Sequence, residues 1–344
     1  MNAAIRYLFT PRLSLTLTDT FIRNDSPSVV DQFGLRRGRQ IYDTNTLGAT
    51  VDWLLDRIAT QAYYRNVLFF NESGSGSGSG NGSVGNNVNQ NDQVTNILGV
   101  NASTRVLVDY LVRLGYEFSR TDSLNGNSNG SQDNTSHTVF ASLSRQFGLY
   151  TTAGLSTSAQ FQTQNSTKIY NASLFGAYGL PSGLSLSAAV GYSILDSDSQ
   201  DTQGTVSANV TAGYRFNRAF FSVGVFQDFR QTSQQGQNFG TVQTRSYFGS
   251  FLYQWTPFIN TTLHVSYNEN EPTGTGNNNN TNQSQNTLTY GASVNWQILR
   301  WLAASLRYTY TKQTGTNTFS NNQGQFGGGD YSENRGTLNL FATF

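Results

Sequence analysis

Strict alternation of apolar and polar residues constrains this chain more than any other feature. One face of the segment 183–196 carries Leu184, Leu186, Ala188, Val190, Tyr192 and Ile194, and the other carries Ser185, Ser187, Ala189, Gly191 and Ser193. Because successive side chains of a strand point to opposite faces, this pattern predicts a strand with one apolar and one polar surface. No segment has the apolar continuity that a membrane-spanning helix requires.

The same alternation recurs along the whole chain. We predict about 17 strands of roughly 9 to 14 residues, a length that suits a tilted strand crossing a bilayer. The predicted spans are 2–9, 12–24, 43–54, 57–70, 94–106, 111–121, 136–147, 151–163, 168–179, 183–196, 203–216, 219–231, 243–255, 259–270, 285–298, 301–313 and 332–344.

The connections between these segments alternate in length. Tight turns such as Thr10–Pro11 and Asn217–Arg218 are followed by longer loops such as 25–42, 71–93 and 271–284. Short turns on one rim and long loops on the other are typical of bacterial outer-membrane barrels. We therefore predict an all-β fold, a transmembrane antiparallel up-and-down β-barrel of about 16–18 strands with short periplasmic turns and long extracellular loops. We expect it to form one domain over residues 1–344.

Composition excludes several classes of function. Charged residues make up 12% and the net charge is +1, which gives no reason to expect a nucleic-acid partner. The chain has no cysteine, so disulfides and thiolate chemistry are absent. Aromatic residues reach 13%, and many fall near predicted strand ends, where they predict two interfacial girdles. Trp53, Tyr63, Phe69, Phe147, Phe216, Phe220 and Trp255 are among them.

The last predicted strand ends in an alternating apolar pattern. Its apolar face carries Leu338, Leu340, Ala342 and the terminal Phe344. This pattern resembles the C-terminal assembly signal of bacterial outer-membrane proteins. The resemblance implies recognition by the outer-membrane barrel assembly machinery.

Several turn sequences also resemble those of a known family. Phe9-Thr-Pro-Arg-Leu13, Tyr178-Gly-Leu-Pro-Ser-Gly-Leu184 and Trp255-Thr-Pro-Phe-Ile259 look like turns of the β-barrel porin family linked to exosortase and exopolysaccharide loci. The resemblance covers most of the chain and implies a Gram-negative outer membrane, with a channel or export role. It supplies no catalytic residues.

The first predicted strand descends from the outer side toward the turn at Thr10–Pro11, and no signal peptide precedes it. We therefore expect native sequence upstream of Met1. The alternative is a barrel with an odd number of strands.

The polar faces carry a small set of charges that become candidates for lining a pore. They are Arg105, Arg113, Glu117, Arg215, Asp228, Arg245 and Arg307. A barrel of 16–18 strands is too wide for small side chains to fill, so the lumen should hold water. The excess of arginine predicts a weak preference for anions. It is equally open that these charges only solvate the wall or pair across strands.

The sequence gives little support for a metal site or an enzymatic site. Asp196, Asp198 and Asp201 resemble part of a calcium loop but lack its glycine and glutamate. His137 and His264 are the only histidines and are far apart in sequence, so we expect no metal site, no cofactor and no enzymatic activity. Arg36, Arg37 and Arg39 could contact lipopolysaccharide phosphates, although solvation is the simpler interpretation.

Three functions fit these features. The leading hypothesis is a pore for passive diffusion of ions and small solutes in the outer membrane, among lipid and lipopolysaccharide. The second is a conduit for exopolysaccharide export, which rests on the family resemblance. The third is a structural or adhesive surface barrel.

Overall fold

A computed structural model of the chain describes residues 2–24, 29–30, 36–37, 42–71, 92–124, 133–163, 166–198, 200–231, 241–273, 285–315, 320–321, 324–325 and 330–342. Within these residues no helix is long and apolar enough to cross a membrane.

Seventeen strands form one sheet. They are β1 Asn2–Thr10, β2 Leu13–Asn24, β3 Tyr42–Leu55, β4 Ile58–Asn71, β5 Gln93–Leu107, β6 Tyr110–Ser123, β7 Asn134–Phe147, β8 Thr151–Gln162, β9 Lys168–Gly179, β10 Leu184–Ser197, β11 Gln200–Phe216, β12 Ala219–Gln231, β13 Thr241–Thr256, β14 Ile259–Pro272, β15 Gln285–Leu299, β16 Leu302–Thr314 and β17 Tyr331–Ala342. Two short hairpins, Val29–Val30 with Arg36–Arg37 and Ser320–Asn321 with Gly324–Gln325, lie outside this sheet.

Each strand pairs antiparallel with its neighbours in sequence, so the topology is up-and-down. Every predicted strand is present, and the predicted bounds differ from the observed ones by about three residues or fewer. The all-β, antiparallel prediction is confirmed.

The two rims of the sheet differ in the connections they carry. We call the rim with the tight turns the turn end and the opposite rim the loop end. β1 and β17 both run from the loop end to the turn end, and the described residues show no pairing between them. The two outermost strands are therefore parallel to each other, and the described pairings leave the sheet open along these edges.

The residues at the tight turns suit the backbone conformations that these turns require. Asp56 and Asn217 each begin a two-residue turn with a φ of 48°, a conformation that Asn and Asp adopt more readily than most residues. Gly183 has a φ of 98°, and a Cβ there would overlap the carbonyl oxygen of Arg215. The β9–β10 turn therefore requires glycine at this position.

One face of the sheet presents an apolar band to the surroundings. Its exposed side chains include Leu174 at 65%, Val206 at 50% and Leu306 at 57% of full exposure. Such a surface is unfavourable in water and suits a lipid environment. We call it the outer face.

Aromatic side chains border this band at both ends. Trp53, Phe147, Phe216, Trp255 and Trp296 lie near the turn end. Near the loop end, ring contacts join Phe161 with Tyr170, Tyr247 with Tyr267 and Tyr290 with Tyr310. The girdle prediction was wrong for three of its residues, because alternation places Tyr63, Phe69 and Phe220 on the opposite face. Aromatic character alone did not distinguish the two faces.

Candidate functional site: the inner face of the barrel

Side chains on the face opposite the apolar band hydrogen-bond across intervening strands. Asn171 on β9 donates to Asp228 on β12 at 3.1 Å, over β10 and β11. Ser193 on β10 donates to the same carboxylate at 2.7 Å, over β11. Side chains can approach in this way only on the concave surface of a curved sheet. This surface is the inner face, and it is the candidate site.

Alternation places six of the seven candidate pore-lining charges on the inner face. They are Arg105, Arg113, Glu117, Arg215, Asp228 and Arg307. They do not form one cluster but are spread over β5, β6, β11, β12 and β16.

Arg245 lies elsewhere. It shares its face with Tyr247 and is paired in register with Glu269, and its guanidinium lies 3.7 Å from the Glu269 carboxylate and 3.5 Å from that of Glu271. Tyr247 stacks on Tyr267 on the outer face. The structure thus places Arg245 beside Tyr247 and its two carboxylate partners and apart from the other six candidates, and a role of any of the seven in lining a pore stays a prediction. Beyond the apolar band both faces of a strand are polar, so polarity no longer shows which face is inner.

The two acidic candidates are held by neighbouring donors. Glu117 accepts a hydrogen bond from the hydroxyl of Tyr63, which reaches over β5 from β4. Asp228 accepts from Ser207 at 3.3 Å, in addition to Ser193 and Asn171. Both carboxylates keep their negative charge, but oxygens that already accept hydrogen bonds are less free to coordinate a cation directly.

The arginine candidates are differently placed. Among the described residues, Arg105, Arg113, Arg215 and Arg307 form no ion pair. The guanidinium of Arg215 lies over the ring of Phe220, 5.5 Å from its centroid. This contact supplies no negative charge, so the positive charge of Arg215 is not neutralised. Among the candidate charges, the inner face thus carries four arginines against two carboxylates.

The inner face differs between its two halves. Near the loop end its side chains are buried, both polar ones such as Ser193, Thr244 and Thr287, each at 0% exposure, and apolar ones such as Leu195 at 2%. Near the turn end, inner side chains such as Ser187 and Arg215 are exposed. The accessible part of the lumen therefore lies at the turn end.

Aromatic rings also lie on the inner face, where we expected small polar residues. Tyr63, Phe140 and Phe248 each cover a glycine on the adjacent strand: Gly99, Gly115 and Gly224, respectively. Because a glycine has no side chain, the ring can lie flat against the wall instead of projecting into the lumen.

Sequence reasoning missed inner charges that alternation could have found. Arg6 falls between Ile5 and Tyr7, two exposed outer residues of β1. Asp52 is paired in register with Gln61, which donates to it at 2.8 Å. Counting the faces of β1 and β3 would have placed Arg6 and Asp52 inside.

The residues of the predicted assembly signal and the two histidines lie apart from the candidate charges. Leu338 and Leu340 of the predicted assembly signal are on the outer face, each at 67% exposure, whereas Phe344 and the side chain of Ala342 lie outside the described residues, as does Arg39. The His137 ring nitrogen Nδ1 is 2.8 Å from the Tyr116 hydroxyl on the outer face. His264 lies on the inner face against Gly291. The described residues include no group of three side chains able to hold a metal ion.

Solved structures of similar fold are bacterial outer-membrane proteins. The alcaligin outer-membrane receptor of Bordetella pertussis is 15% identical, with a TM-score of 0.51, over 92% of this chain and 59% of that one. A ferric enterobactin receptor of Pseudomonas aeruginosa is 12% identical, with a TM-score of 0.56, over 98% and 69%. An outer-membrane transporter of Escherichia coli is 11% identical, with a TM-score of 0.57, over 94% and 56%. No family model and no curated protein sequence matches the chain.

At these identities the likeness shows the fold, which is that of an outer-membrane β-barrel. The predicted outer-membrane location agrees with that of all these neighbours. The chain spans about six tenths of the length of the alcaligin receptor. None of these three neighbours is named as a porin, so the resemblance of the turn sequences to a porin family remains a prediction.

Proposed function

We propose that this chain forms an outer-membrane channel through which ions and small hydrophilic solutes diffuse passively. The observation that carries the proposal is the exposed, polar inner face at the turn end, opposite an apolar outer face. A sheet of 17 strands is wide enough to enclose a water-filled lumen once it is closed. Passive diffusion through such a lumen requires no conformational change of the barrel wall.

The charge on the wall supports a preference for anions. Arg105, Arg113, Arg215 and Arg307 lie on the inner face, while Glu117 and Asp228 are engaged by hydroxyl and amide donors. Uncompensated guanidinium groups raise the local anion concentration in a narrow aqueous passage.

The buried inner face at the loop end favours a second candidate. A lumen that is packed at one end, as Thr244 and Leu195 show, also suits a barrel that opens only when a ligand binds. The neighbours include proteins named as siderophore receptors. The polysaccharide conduit, in contrast, rests on the sequence resemblance alone.

Cysteine accessibility separates the two candidates. Because the chain contains no cysteine, Asn209→Cys on the inner face and Val210→Cys on the outer face each introduce a single thiol. A charged, lipid-insoluble methanethiosulfonate should react with Asn209→Cys in proteoliposomes and reduce the flux of a small sugar. Val210→Cys is the matched control and should be protected by lipid.

A passive channel gives sugar flux before modification and less flux after it. Absence of flux from the unmodified, folded protein would favour the ligand-opened barrel. Equal reactivity of the two thiols would show that the two faces are assigned incorrectly.

A further inference from the structure

A cavity of about 600 Å³ lies against the inner face at the turn end, along strands β1 to β7. Its wall follows one continuous row of register partners across β2 to β7. The row consists of Ser14, Asp52, Gln61, Asn101, Gly115 and Phe140. Because the row is set by backbone pairing, these positions are held at fixed separations.

Three arginines line this cavity. Arg6 comes from β1, Arg12 from the β1–β2 turn and Arg113 from β6. Among the described residues none of them forms an ion pair. The one carboxylate in the lining is that of Asp52, and Gln61 donates to it at 2.8 Å. The cavity therefore carries a local excess of positive charge.

The rest of the lining combines neutral hydrogen-bonding groups and an aromatic surface with apolar residues such as Leu8 and Leu13. Asn101 and Ser103 contribute an amide and a hydroxyl, and the ring of Phe140 lies flat over Gly115. Guanidinium groups bind carboxylates in a bidentate manner, and the neutral donors suit hydroxyl groups beside the charge. A lysine-lined site would lack this geometric fit.

We propose that this cavity is a binding site for small hydroxylated polycarboxylates at the turn-end mouth of the barrel. The inference deepens the proposed channel function, on which it rests, by naming the class of solute that the channel concentrates. The turns around the same rim carry Arg12, Arg57, Arg218 and Arg300 against Asp56 and Asp109, so the field around the mouth attracts the same solutes.

Isothermal titration of the purified barrel in detergent with citrate tests the site. Citrate should bind saturably, and Arg6→Gln combined with Arg113→Gln should weaken its affinity by at least about tenfold, since each guanidinium–carboxylate interaction is charge-assisted. Heat-modifiable migration in gels should show that the variant is folded. Arg300→Gln is the matched control, because it removes a charge from the same rim outside the cavity lining.

Citrate binding that is lost in the double variant and retained in Arg300→Gln supports the site. Absence of saturable citrate binding, or equal weakening in both variants, overturns it, the latter because only the general field of the rim would then matter. Stronger binding of inorganic phosphate than of citrate also overturns the assigned class. A barrel that conducts ions but does not bind citrate refutes the citrate site and leaves the channel function intact. A barrel that binds citrate but does not conduct refutes the channel function and leaves the site intact.

Discussion

At the scale of single residues, the outcome of a substitution depends on which face of the strand it falls on. Val210 is paired with Ala188 and Val225 on the outer face, while its neighbour Asn209 is exposed on the inner face. Adjacent positions thus meet lipid and water, respectively. Arg245 and Arg307 differ in the same way. Arg245 shares its face with Tyr247 and forms an ion pair with Glu269, whereas Arg307 lies on the inner face.

Val210→Arg should lower the free energy of unfolding by about 2–4 kcal/mol, because it places a charge in the apolar band. Asn209→Arg should change it little, because the new side chain stays in water. Urea unfolding in lipid vesicles, followed by tryptophan fluorescence, measures both. Similar costs at the two positions would contradict the facing assignment.

At the scale of strands and turns, the β9–β10 hairpin depends on a single backbone conformation. Gly183 has a φ of 98°, its carbonyl accepts a hydrogen bond from the backbone N–H of Arg215 at 2.9 Å, and a Cβ would overlap the Arg215 carbonyl oxygen. Gly179, four residues earlier, has nothing within 4 Å of an added Cβ.

Gly183→Ala should therefore destabilise the barrel by about 1–3 kcal/mol, since the new side chain meets both backbone strain and overlap. Gly179→Ala is the control and should be nearly neutral. Thermal unfolding in detergent, followed by circular dichroism, compares the two. Equal melting temperatures would show that the turn relaxes without cost.

Much of the strand arrangement could be predicted from the sequence. Alternation in segments such as Leu184–Ile194 depends on only two environments, lipid and lumen, so strand positions followed directly. The inward facing of Tyr63 and Phe140 follows from alternation, but the position of each ring over a glycine of the neighbouring strand could not be predicted, because the register between strands was unknown. The facing of Arg245 could not be predicted for a different reason. Beyond the apolar band both faces of a strand are polar, so polarity does not show which face is inner.

At the scale of the whole molecule, the two rims differ in chemistry as well as in length of connection. The turn end has a basic rim and an accessible inner face, whereas inner side chains at the loop end, such as Thr287 and Gln313, are buried. The function proposed for the turn-end cavity depends on which side of the membrane this rim faces.

The sidedness can be tested through the connection from β4 to β5, which leaves the loop end at Asn71 and returns at Gln93. A protease site engineered into residues 72–91 should be cut on intact cells if the loop end is extracellular. A site placed after Asn217 in the tight turn serves as the control and should be cut only from the periplasm. The reverse pattern would invert the topology.

Planar-bilayer recording of the purified protein in a salt gradient tests whether a water-filled passage runs through the barrel. We predict discrete, stable conductance steps and a reversal potential displaced toward that of the anion, because arginines outnumber carboxylates among the candidate charges on the inner wall. Bilayers that show no conductance with protein of proven folding and insertion would contradict it.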